Sequence, residues 1–137
     1  MRNSHAGWMT RALVLVGVVL MAGCATTGAT LSNSAERLER SSTQLERNAD
    51  EMRVRTHARE LADESRDFRH VVTDSRADRR DVRGAFDDLS RSYHALRDAV
   101  EKTRDHGAER DFDAVTSVYL DIEREVNLND RYATLTD

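Results

Sequence analysis

The chain has 137 residues, a length that suits one domain built on one core. Charged residues make up 34% of it, with 21 Lys+Arg against 25 Asp+Glu and a formal net charge of −4. Because Asp and Glu interleave with Arg throughout the polar part, no block of one sign is left to grip a phosphate backbone, so nucleic-acid binding is not expected.

The amino-terminal stretch differs in kind from the rest. Two arginines, Arg2 and Arg11, precede an uninterrupted apolar run from Ala12 to Ala22, the layout of an export signal. The run is shorter than the ~20 apolar residues a membrane-spanning helix needs. It ends in Leu20-Met21-Ala22-Gly23-Cys24, which resembles the lipobox of bacterial lipoproteins: small residues directly before a cysteine, with an aliphatic pair ahead. That resemblance implies lipid attachment at Cys24, removal of residues 1–23 and acylation of the new amine. The chain's single cysteine is then consumed, which leaves none for a disulfide. In Gram-negative lipoproteins the residue after the cysteine biases sorting, and Ala25 in place of Asp implies the outer membrane, with the domain facing the periplasm.

Proline is absent and only 6 glycines occur, so the remainder is expected to be all-α. Residues 24–32 are small and polar and read as a flexible tether. Leu31, Leu38, Leu45 and Met52 then recur with the seven-residue period of a coiled-coil seam, with Ala35, Ser42 and Ala49 between them. This stripe is the candidate surface for a partner helix, whether in another copy, another envelope protein or another part of the chain. A second stripe, Val54, Ala58, Leu61, Ser65, Phe68 and Val72, lies about 160° around the axis from the first if the helix is straight. No glycine or proline lies between Asn48 and His57, and Arg53-Val54-Arg55-Thr56 offers no turn chemistry. The sequence therefore favours one long helix over 33–73 in a three-helix bundle. The alternative is a four-helix bundle broken near 53–56.

A connection is expected at Thr73-Asp74-Ser75, with Ser75 or Asp74 as the cap and Asp78 completing a capping box. Val82, Phe86, Leu89, Tyr93, Leu96 and Val100 make the clearest amphipathic stripe, on a helix over 77–105 that His106-Gly107 should close. Phe112, Val115, Tyr119, Ile122 and Val126 follow on an antiparallel helix over 109–127, and residues 128–137 read as a loose tail. Together, residues 33–127 form the folded domain. Tyr93 and Tyr119 should touch in its core.

No arrangement of a catalytic site appears. His57, His70, His94 and His106 lie at no metal-ligand spacing, and no nucleophile elbow, phosphate loop or dinucleotide fingerprint occurs. His70–Asp74 and His94–Asp98 read as solvated pairs. Arg76, Arg79, Arg80 and Arg83 form the densest basic patch, and Asp74, Asp78 and Asp81 among them suggest local pairing. Neither an enzyme nor a metal or cofactor is expected.

The lipidated cysteine and heptad stalk also look like the major murein lipoprotein, which is joined to peptidoglycan through a carboxy-terminal lysine. The only lysine here is Lys102, inside a helix, so a covalent peptidoglycan link is not expected. The functional expectation is a lipid-anchored envelope protein with a non-catalytic structural or adaptor role. The alternative is a small periplasmic module that binds an amphiphile or an unfolded chain between its helices.

Overall fold

The computed structural model describes residues 22–134, with side chains from 28 to 131. They form four α-helices: α1 (Ala22–Asn48), α2 (Met52–Thr73), α3 (Arg79–Thr103) and α4 (His106–Thr134). Each packs beside its neighbour in sequence, and α4 returns to α1, so the helices make a closed ring around one core. Glu46 meets Arg59 while Glu39 meets Arg66, which shows α1 and α2 running antiparallel.

Every helix feeds the core with the same alternating spacing of four and three, the period that keeps one stripe on one face. On α1 the series is Leu31, Ala35, Leu38, Ser42 and Leu45, continuing into Ala49, and all are buried. Val54, Ala58, Leu61, Ser65 and Phe68 do the same on α2. The helix pairs divide the volume unequally. Ala35, Ser42, Ala58 and Ser65 let α1 and α2 approach closely, whereas Phe86, Tyr93, Phe112 and Tyr119 hold α3 and α4 farther apart. Phe68 and Phe86 share one level, and Phe86, Tyr119, Tyr93 and Phe112 succeed one another along the α3–α4 interface. Complementary sizes of this kind fill a core without voids.

The long helix expected over 33–73 is thus two helices, and the four-helix alternative holds. Its break falls at residues 49–51, a few positions before 53–56, and local turn chemistry does not cause it. The buried Asp105, in the α3–α4 corner, accepts the Glu51 N–H at 2.8 Å through Oδ2 and the Ala108 N–H at 3.1 Å through Oδ1. One carboxylate therefore caps α4 and orients the residue before α2. Arg55 donates from Nε to the Ala49 carbonyl at 2.9 Å and from Nη2 to the Asp50 carbonyl at 2.9 Å. The two corners touch: a Cβ at Gly107 would lie 2.7 Å from the Asn48 carbonyl oxygen, so only glycine fits this approach.

Other boundaries shift for similar reasons. Residues 24–32, expected as a tether, continue α1, where Leu31 is buried and Gly28 approaches the Val72 carbonyl. The cap of α3 is Asp78 rather than Ser75 or Asp74. Asp78 accepts from Arg80 and Asp81 backbone N–H groups while Asp81 accepts from Asp78 N–H, a complete capping box. Arg104, not Gly107, takes the left-handed conformation that ends α3, at φ 52°. His106-Gly107 opens α4 instead of closing α3. That helix runs to Thr134 rather than stopping at 127, held in part by Asp130, whose carboxylate accepts from Arg83 at 2.8 Å. Gly84 marks no close approach, since a Cβ there would meet nothing within 4 Å.

Among the described residues, Ser42 Oγ is the buried side-chain polar atom without a hydrogen-bond partner. Ser65, in the same kind of position on α2, satisfies itself on the Leu61 carbonyl at 2.6 Å. Ser42→Ala removes an unsatisfied hydroxyl with almost no change of shape. We expect it to stabilise the bundle by about 1 kcal/mol, read as a raised denaturant midpoint at unchanged slope.

Candidate functional site

The residues singled out by the sequence fall into separate places. Leu20 and Met21 lie outside the described residues. Ala22, Gly23 and Cys24 belong to the first turn of α1. Cys24 precedes Gly28 by one helical turn, about 6 Å of rise. Gly28 in turn lies beside the Val72 carbonyl, so the start of α1, the end of α2 and the α2–α3 connection share one end of the bundle.

The leucine stripe does not form an outward surface. Leu31, Leu38 and Leu45 are buried in the core of their own chain, so the partner the stripe requires is supplied by the other helices of the bundle. Met52 does not belong to it: the chain has turned before Met52, which opens α2 and is 69% exposed.

Tyr93 and Tyr119 stack at the middle of the α3–α4 interface, with ring centroids 3.9 Å apart and planes 7° from parallel. Tyr93 Oη donates to Thr116 Oγ1 at 3.1 Å, and Tyr119 Oη shares a hydrogen bond of 2.9 Å with Ser90 Oγ. Each hydroxyl thus reaches the residue three before the other tyrosine. Phe112 stacks on Tyr93 and Phe86 on Tyr119, so the two helices present matching halves of one aromatic column. The two hydroxyls are satisfied by Thr116 and Ser90, and the rings fill space.

Burial raises the Tyr119 phenol above the ordinary tyrosine value, outweighing the Ser90 hydrogen bond that acts in the opposite direction. A raised folded-state pKa for an acid means that the unfolded chain releases its proton first. The stability this group contributes is complete below pH 10 and is lost as pH rises above the unfolded value. Alkaline titration should therefore show tyrosinate absorbance and loss of helix rising together for the buried ring. A Tyr119→Phe variant should resist that alkaline loss.

The histidines remain apart. His57 pairs with Glu60 at 2.8 Å and His106 with Glu109 at 3.3 Å, each within one turn of its own helix. The expected His70–Asp74 and His94–Asp98 pairs do not form. Asp74 accepts the Arg76 backbone N–H, Asp98 faces Arg97 and Lys102, and His94 lies edge-on to Tyr93 and Tyr119. Among the described residues, no group of three His, Cys, Asp or Glu side chains is placed to hold a metal ion.

The basic patch departs from the expected local pairing. Asp74, Asp78 and Asp81 all direct a carboxylate oxygen at backbone N–H groups of the connection and the first turn of α3. Arg83 pairs with Asp130 and Asp87 and lies over the Phe86 ring at 5.9 Å. Arg76, Arg79 and Arg80 are exposed, and among the described residues their guanidinium groups form no ion pair. The capping requirement of α3 could have been weighed against pairing in the sequence, because a carboxylate at an N-cap is occupied by amides first.

No protein family, curated protein or solved structure matches the chain.

Proposed function

We propose that the chain is an envelope lipoprotein, anchored by lipid at Cys24 and acting through the polar outer surface of its bundle in a non-catalytic structural or adaptor role. The observation that carries this reading is the sequence Leu20-Met21-Ala22-Gly23-Cys24 at the end of a basic-then-apolar leader. Two supporting facts concern the folded part. No described helix is long and apolar enough to cross a membrane, so membrane attachment falls to the lipid. The apolar stripes of all four helices meet one another, and the outer faces carry mixed ion pairs such as Arg59–Glu46 and Arg66–Glu39. Such exposed pairs contribute little to stability and leave charge available for recognition.

Attachment by two or more acyl chains is stable where a single chain holds reversibly, at about 0.8 kcal/mol per buried methylene. The test is the Cys24→Ala variant expressed in a Gram-negative host. It should accumulate as an uncleaved, unacylated precursor, whereas mass spectrometry of the wild-type mature chain should find Cys24 at its amino terminus with fatty acid attached. Normal processing of the variant would refute the lipobox reading. Crosslinking in cells, from the exposed faces of α2 and α3, should then capture an envelope protein if the adaptor role is right.

A further inference from the structure

We propose that Arg76, Arg79 and Arg80 form a second contact with the membrane, seated on the phosphates of anionic lipid headgroups beside the Cys24 anchor. The inference rests on the lipoprotein reading and adds the partner of a surface which that reading leaves unassigned.

Three observations converge. The first is position: Gly28, Ala29, Ser32 and Asn33 of α1 line a shallow groove together with Val72, Thr73, Asp74 and Ser75. The arginine-bearing connection thus lies about 6–13 Å, one to two and a half helical turns, from Cys24 along the bundle axis, a gap that a long arginine side chain helps to span. A headgroup layer is roughly 6 Å deep on each side of the hydrocarbon, so a connection placed there reaches it once acyl chains on Cys24 are inserted. The second is availability. The carboxylates nearest in sequence are committed to amides, and the three guanidinium groups have no ion-pair partner among the described residues. The third is chemistry: a guanidinium is weakly hydrated and matches a phosphate through paired N–H donors. Exposed arginines without an ion pair among the described residues also stand at the distal corners, Arg53 and Arg104 among them, so the position beside Cys24 is what sets Arg76, Arg79 and Arg80 apart.

The experiment uses the mature acylated protein in two kinds of vesicle, phosphatidylcholine alone and phosphatidylcholine mixed with phosphatidylglycerol. Amide hydrogen exchange is followed over residues 75–82 and, as a control, over the distal corner at residues 49–53. Each arginine near an anionic surface is expected to favour the contact about fivefold. Exchange over 75–82 should therefore slow by about tenfold or more on the anionic vesicles, with the distal corner unchanged. The R76Q/R79Q/R80Q variant, whose substitutions spare every capping aspartate, should lose the difference. An acylated protein whose 75–82 segment exchanges equally on both vesicles overturns this proposal and leaves the anchor standing. A mature chain without lipid overturns both.

Discussion

Phe86→Ala is expected to lower stability by about 3–5 kcal/mol, the range for deleting a buried aromatic side chain. The ring is 5% exposed, stacks on Tyr119 at 6.1 Å and meets Phe68 edge-on at 6.4 Å. Its removal opens space between Phe68 and Tyr119, each of which loses a ring contact. Whole domains of this size are stable by only 5–15 kcal/mol, which makes the loss large. The melting temperature followed by circular dichroism should fall by about 15 °C or more. An unchanged melting curve would show that the α3 stripe does not face the core.

Asp105→Ala should cost about 3 kcal/mol although it removes no apolar contact. The substitution takes away the cap of α4, worth about 1 kcal/mol. It also leaves the Glu51 N–H without its acceptor at a partly buried corner, which adds about 1–3 kcal/mol. Asp105→Asn retains an acceptor oxygen and should recover about half of the loss. Chemical denaturation of the three proteins would order them wild type, Asn, Ala. Equal stability of the Ala variant would mean that the 49–51 corner is determined by its own residues.

These two residues also mark what could and could not be read from the sequence. Phe86, Tyr93 and Tyr119 lie on stripes whose period alone fixes their inward face, so the amphipathic helices and the tyrosine contact were legible. The corner at 49–51 was not. The segment from Asn48 to His57 contains no glycine or proline, and the corner is held by Arg55 on the Ala49 and Asp50 carbonyls, by a carboxylate more than fifty positions downstream and by the close approach of Gly107. Local propensity is silent about partners of that kind. The same limit explains the tether and the tail: Gly28 and residues 128–134 become helical because Val72, Leu31 and the Arg83–Asp130 pair give those turns something to pack on. For the site residues, the lipobox is a linear pattern and needs no fold to be recognised. The role of the leucine stripe depends on which surface meets it, and a heptad seam looks alike whether its counterpart is internal or foreign. The unpaired state of Arg76, Arg79 and Arg80 depended on whether the aspartates served side chains or amides, which spacing does not separate.

A bend held in part from elsewhere in the molecule is one that the segment can lose when that hold is released. Residues 22–73 have the composition to straighten into a single rod of about 75 Å. In that extended form α1 of one molecule would lie against α2 and α4 of another, reproducing the native contacts except those at the corner. The grip of Asp105 on Glu51 therefore does more than terminate a helix. It keeps the four arms of the bundle in one polypeptide, and with it the choice between a solitary molecule and an interlocked pair.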